Sequence, residues 1–251
     1  MPPWFYPPGD PQATSYYSTE GFRATLEKFI DFDRLNADSV RFTTSAVNIR
    51  TGNYTVFDST RQVIRPEHVM ASGALPPALP AVEIDGDPYW DGGLISNTPL
   101  YWLMDGDTQS NTAAKDTLIF QVDLWSAEGE EPQDMIEVMS RQKEIQYSSR
   151  TRSITNLFKQ QQKLQHAFAT LYEKLPDDLK QSDEAKLLHA NSGHSVHNIV
   201  HLIYRARHYQ IYAKDYEFSR MAVMDHWREG YKDTSNCLRH GEIFQRPACG
   251  E

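Results

Sequence analysis

Apolar residues at helical spacing begin the regular part of the chain: Phe22, Leu26, Phe29 and Ile30 recur every three to four positions and predict a first helix within residues 19–36. The period then falls to two. Residues 40–49 and 54–57 are β-rich runs, and Arg50-Thr51-Gly52-Asn53 between them predicts a hairpin. Residues 66–71 predict a short helix with Pro66 in its first turn, ended by Leu75-Pro76-Pro77. Two short strands are expected over 81–84 and 89–90. Asn97 can cap a helix with Pro99 in its first turn, continuing through Leu100, Tyr101, Leu103 and Met104. Residues 118–124 are apolar enough for an interior strand of an α/β sheet.

After Trp125 the character changes. Glu128-Gly129-Glu130-Glu131-Pro132 marks a boundary, so residues 1–129 are expected to form an α/β unit and 130–251 a mostly helical extension. In the extension Leu157, Leu164, Phe168, Leu171 and Leu175 continue a near-heptad stripe with Gln161 as its polar member, until Pro176 stops it. That stripe reads as a core-facing or partner-facing helix. Residues 199–204 predict a strand, and Ser219 can cap a last helix on which Met224, Trp227 and Tyr231 share a face. Residues 1–18, rich in Pro and aromatics, predict an extended segment rather than a helix or strand.

Composition narrows the function classes. A formal net charge of -9 argues against broad nucleic-acid binding, which depends on Lys and Arg displacing counterions from phosphate, although Arg150 and Arg152 could form a local basic patch. The two cysteines, Cys237 and Cys249, are no disulfide framework and suit a reducing, cytoplasmic setting. No basic-then-apolar leader opens the sequence, and no stretch approaches about 18 uninterrupted apolar residues. Contact with lipid, if made, is peripheral.

The chemistry-bearing stretch is Met70-Ala71-Ser72-Gly73-Ala74-Leu75-Pro76-Pro77, followed by Tyr89-Trp90-Asp91-Gly92-Gly93-Leu94-Ile95-Ser96-Asn97-Thr98-Pro99. Asp-Gly-Gly by itself is a turn former, because Gly tolerates positive φ and Asp bonds the nearby backbone. The longer pattern resembles the patatin-like phospholipase family, where an Ala-Ser-Xaa-Ala-Xaa-Pro-type helix end precedes a strand and an Asp-Gly-Gly or Asp-Gly-Ala motif, with Asn and Pro a few residues on. The resemblance extends over residues 15–123. Asp215-Tyr216-Glu217-Phe218-Ser219-Arg220, with His226-Trp227-Arg228-Glu229-Gly230-Tyr231 after it, is similar to a C-terminal domain of unassigned role on some bacterial members.

The resemblance implies the C-terminal part of a patatin-like α/β hydrolase core and hydrolysis of lipid or acyl esters by a Ser-Asp dyad, with Asp91 as its general base. It implies no cofactor. A serine hydroxyl is a weak nucleophile at neutral pH, and a positioned base contributes about 10² to 10⁴-fold. Gly92 and Gly93 would let the backbone turn away so that the carboxylate reaches the hydroxyl. Asp85 and Asp87 belong to an expected exposed turn.

The sequence departs from the family at the nucleophile. No Gly-Xaa-Ser-Xaa-Gly occurs, and Gly92-Gly93 is the one adjacent pair among the 13 glycines, so the upstream Gly-rich oxyanion loop is also missing. Gly193-His194-Ser195-Val196-His197 is the nearest imitation, but it lacks the second Gly and precedes its expected strand; Ser72 belongs to the helix before the motif and reads as a packing or hydrogen-bonding residue. Met1 is therefore expected to mark a truncated, split or wrongly assigned start, with a complementary N-terminal chain as partner and the isolated chain inactive. The alternative is a non-catalytic, truncated or degenerate family member acting as an interaction module. His189, His194, His197 and His201 raise a metal reading, but Asn191-Ser192-Gly193 breaks the helix that would align them, and no metal site is expected.

Overall fold

The computed structural model describes residues 2–37, 40–100, 102, 116–204 and 219–245. The chain divides into two units, Met1–Leu103 and Met104–Glu251.

The first unit is organised by strand β1 (Thr43–Asn48). Arg50, Thr51 and Gly52 turn the chain back, Gly52 at φ +70°, into β2 (Tyr54–Asp58), so the period-two runs become the expected hairpin. On its other side β1 pairs antiparallel with β4 (Asp87–Asp91), and β4 with β3 (Val82–Ile84), giving the order β2-β1-β4-β3. Asp85 and Gly86, at φ +52° and +88°, form the two-residue turn between β3 and β4. Positive φ at both central residues matches the twist of the flanking strands, and Asp-Gly accepts it at little cost. Arg65 bonds Asp85 and Arg50 bonds Asp87 from outside the turn.

Alternation along β1 separates two faces. Ala46, Phe57 and Tyr89 face a core completed by Ile64, Ala71 and Ala74, with α3 (Pro66–Ser72) contributing the helical layer. Ser45, Val47 and Tyr54 project the opposite way by the pleat, and there the Trp102 ring lies 4.5 Å from that of Tyr54. The helix expected from Asn97 is described at Leu100 and Trp102, while Asn97, Thr98 and Pro99 before it are not helical; residues 101, 103 and 104 lie outside the described residues.

Two local expectations are corrected. The 19–36 helix is two helices, α1 (Phe22–Phe29) and α2 (Phe32–Leu35), because Ile30 is extended and the Asp31 carboxylate accepts the Arg34 amide, starting a new helix instead of continuing the old one. The opening segment forms two 3₁₀ turns, Pro3–Phe5 and Pro11–Ala13, each with Pro in its first turn, where a missing N–H costs nothing.

In the second unit β5 (Thr117–Asp123) pairs parallel with β6 (His197–Ile203) over seven residue pairs. Among the described residues β5 has this one neighbour, so it is not enclosed as an interior strand, and Leu118, Phe120, Val122 and Leu124 face solvent. The helical stripe belongs to α4 (Met135–Glu173), 39 residues or about 58 Å long, started by the Asp134 carboxylate accepting the Glu137 amide. Its N-terminal part meets the loop after β5: Arg141 donates to the Ala127 carbonyl and Tyr147 stacks on Trp125 at 5.0 Å. Its middle meets β6, where Gln162 accepts the His197 amide. Its C-terminal part holds α5 (Asp183–Ala190), with Tyr172 stacked on His189 at 4.5 Å. Ser219 caps α6 (Arg220–Leu238) by accepting the Ala222 amide, and Trp227 and Tyr231 stand exposed on one face of it.

Candidate active site

Asp91 is the last residue of β4, paired opposite Ala46 of β1. The chain leaves the strand as a 3₁₀ turn, Gly92–Leu94, for which Asp91 is the cap: its Oδ1 accepts the Gly93 amide at 2.7 Å. No other hydrogen bond to this side chain forms among the described residues, so Oδ1 is the oxygen held by the turn. Burial raises the half-buried Asp91 carboxyl above the ordinary carboxylate range, and the Gly93 amide partly opposes that shift.

The two separated pieces of the sequence motif meet here. The Asp91 amide donates to the Ala74 carbonyl at 3.0 Å, tying the strand end to the residue just beyond α3. Ser72 is occupied within its own helix, its hydroxyl donating to the Val69 carbonyl at 2.8 Å, a hydrogen-bonding role.

Space is tight at both glycines, against backbone at Gly92 and against side-chain ends at Gly93. A Cβ on Gly92 would lie 2.5 Å from Ser45 Oγ and 2.8 Å from the Ser45 carbonyl oxygen; one on Gly93 would lie 2.6 Å from Asn97 Oδ1 and 3.1 Å from Asp91 Oδ1. Neither has positive φ, so at Gly92 the constraint is the space left by the Ser45 backbone rather than backbone freedom, while at Gly93 a side chain would have to displace those of Asn97 and Asp91. After the turn the amides of Ile95 and Ser96 both donate to the Gly92 carbonyl, at 3.0 and 2.9 Å.

Three hydroxyls adjoining this turn lie outside the sequence expectation for the site. Tyr54 donates to Ser45 Oγ at 2.8 Å, and the Ser96 hydroxyl accepts the Thr98 amide at 3.3 Å. Burial pushes the Tyr54 phenol up; the bond to Ser45 opposes that, and the nearby Asp91 charge adds to it. The signal available in the sequence was the hairpin alone, which places Tyr54 near β1 without saying what β1 faces.

Residues 2–104 match the family described as Patatin-like phospholipase, and residues 145–249 match a second described as Patatin phospholipase. The chain belongs to the patatin-like phospholipase family. A search of curated proteins finds no match. The first match ends almost where the first compact unit does, and it contains Asp91, the turn and the Ala74 contact; the second covers most of α4 and everything after it up to residue 249. The patatin-like family is one of lipid hydrolases, and the chain's mixed α/β architecture agrees with that membership.

The remaining candidates are dispersed. Ser195 lies in the loop before β6. His189 stacks on Tyr172, His194 faces Glu173 at 3.3 Å, His197 lies against Phe158, and His201 contacts Gln121 across the β5–β6 pair. Among the described residues no three His, Cys, Asp or Glu side chains are grouped to hold a metal ion, and no helix is long and apolar enough to cross a membrane.

Proposed function

We propose that this chain carries the aspartate half of the Ser-Asp dyad of a lipid acyl hydrolase, with Asp91 as general base and the nucleophilic serine supplied by sequence outside these 251 residues. The observation that carries the reading is the carboxylate itself: held at a strand end by one amide bond on Oδ1, half-buried and raised in pKa. Gly92 and Gly93 support it by letting the turn fold tightly behind it. Residues 1–129 are the C-terminal part of the hydrolase core and 130–251 the extension in this proposal.

In the reaction, Asp91 takes the proton of the serine hydroxyl as its oxygen attacks the acyl carbonyl. The tetrahedral intermediate collapses, the alkoxide leaving group takes the proton back from Asp91, and an acyl-serine remains. Water then gives its proton to Asp91 as it attacks the ester, and the serine oxygen leaves and is reprotonated. A raised pKa suits this cycle, because a base nearer the working pH both accepts and returns the proton more readily. The substrate is a lipid or other acyl ester reached by peripheral contact with membrane.

The isolated chain is inactive under this reading, since a base without a nucleophile or oxyanion donors completes no step. The test compares labelling by a fluorophosphonate probe and turnover of a p-nitrophenyl acyl ester for the chain alone and for the chain joined to a patatin-like segment bearing the Gly-Xaa-Ser-Xaa-Gly elbow. Activity in the joined protein, abolished by Asp91→Asn, supports the proposal. Serine labelling of the chain alone, lost on Asp91→Asn, would show that the nucleophile lies within it.

A further inference from the structure

Helix α6 keeps its charges apart. Its cations, Arg220, Arg228 and Lys232, are all exposed, and its acids, Asp225, Glu229 and Asp233, all lie on the partly covered side. The contrast is steep: the Arg228 and Lys232 side chains are 72% and 68% exposed, those of Asp225 and Glu229 24% and 23%. Helical spacing produces it, because residues four apart stack into columns along the helix. Ala222 and His226 form one column, with Asp225, Glu229 and Asp233 in the column beside it. This side packs inward, Ala222 buried and the His226 ring 5.1 Å from that of Tyr204. The two columns turned away from it hold Val223, Trp227 and Tyr231 in one and Arg220, Met224, Arg228 and Lys232 in the other. Trp227 and Tyr231 are the most exposed of the apolar members, with Val223 and Met224 also exposed.

The outward face is thus aromatic along one line and basic along the next, with no acid in either. Rings with a polar edge settle where acyl chains meet headgroups, and long basic side chains bury their stems while their charges stay among anionic headgroups. An acidic peptide would answer the cations but not the rings; an anionic bilayer answers both along the whole helix, 19 residues or about 28 Å. The chain's net charge of -9 does not forbid the contact, since charges beyond about 8 Å are screened at physiological ionic strength.

We propose that α6 is a membrane-docking helix that lies flat on anionic lipid, with Trp227 and Tyr231 at the acyl boundary and Arg220, Arg228 and Lys232 among the headgroups. This names the surface by which the substrate of the proposed function is reached. Its use in hydrolysis rests on that function, but the binding does not.

The experiment uses the 251-residue chain and flotation with vesicles of equal parts phosphatidylcholine and phosphatidylglycerol, beside vesicles of phosphatidylcholine alone. Wild type is expected to float with the anionic vesicles and far less with the neutral ones. A basic residue at an anionic surface contributes about fivefold in partitioning, so Arg228→Gln with Lys232→Gln should weaken binding about 30-fold. Lys159→Gln with Lys163→Gln removes the same charge from exposed positions of α4 and should leave binding unchanged. Trp227→Ala should weaken it about tenfold, and brominated acyl chains should quench the tryptophan fluorescence of wild type more than that of Trp227→Phe. Absence of flotation, or equal flotation of the Arg228 and Lys232 double variant, overturns the proposal. So does a dimer in sedimentation velocity that Trp227→Ala dissociates while no vesicles are bound, which would give the face to a second copy. Inactivity of the elbow-joined protein would defeat the proposed function and leave the vesicle result standing, whereas absence of flotation would leave the chemistry of Asp91 untouched.

Discussion

Replacing Gly92 with Ala perturbs the site at its tightest point. An ordinary contact for the new methyl begins at about 3.4 Å, and it would lie 2.5 Å from Ser45 Oγ and 2.8 Å from the Ser45 carbonyl, short by about 0.9 and 0.6 Å. Ser45 cannot recede: it sits in β1, which is bonded on both edges, to β2 and to β4. The turn must lift instead, carrying Asp91 away from Ala74. Overpacking of this kind costs about 1 to 3 kcal/mol, and the displacement should cost on the order of 10²-fold in any reaction Asp91 performs. Urea unfolding followed by tryptophan fluorescence measures the first, and ester turnover of the elbow-joined protein the second. Adding Ser45→Ala removes the Oγ clash but not the carbonyl clash, so it should restore only part of the stability. A Gly92→Ala variant within about 0.5 kcal/mol of wild type would refute the close approach on which the reasoning depends.

Asp91→Asn should be more stable than wild type at pH 7. Because burial raises its folded pKa, the native protein holds this proton more tightly than the unfolded chain, and stability falls as pH rises above the ordinary 3.8; the variant escapes that fall, so urea midpoints of the two should diverge with rising pH. Asp58 has the opposite sign. Burial pushes its carboxyl up, but the Arg41 guanidinium and the Thr60 amide and hydroxyl overcome that and hold it at about 2, so its contribution of about 2 kcal/mol is present above pH 3.8 and is lost between there and pH 2. Asp58→Asn should flatten that acid limb. His68, nearly fully buried, has its pKa lowered by burial and then by Arg65; stability should decline as pH falls below about 6.5, and His68→Phe should remove the slope.

The hairpin, the short helix at Pro66 and the strand-then-turn at Asp91 were legible because each rests on local chemistry: period-two alternation, proline in a first helical turn, and Asp-Gly turn formation. The break at Ile30 was not, since an apolar residue at helical spacing gives no sign that Asp31 will start a new helix. Nor was the Asp91–Ala74 contact or the Tyr54–Ser45 bond. Both depend on which strand lies beside β1 and in what register, and β4 begins at Asp87, well after β2 ends at Asp58, a distance over which no local preference acts. The 118–124 strand reads as interior from its apolarity, but apolarity does not count neighbours, and one is what the described residues provide.

The long helix α4 has a consequence for how the second unit can come apart. The loop after β5, the start of β6 and α5 are fastened to successive stretches of it, near Arg141 and Tyr147, near Phe158 and Gln162, and near Gln165 and Tyr172. They resemble ribs on a spine more than layers closed over a common centre. A rod of about 58 Å is far longer than the roughly 13 Å radius of gyration of a 100-residue globule, so the fastenings cannot all share one set of packing contacts. Loss of one rib need not release the next. Cooperativity in this half should therefore be regional, with separate protection from amide exchange along the spine, whereas the sheet of the first unit, whose strands share one core, opens as a single piece.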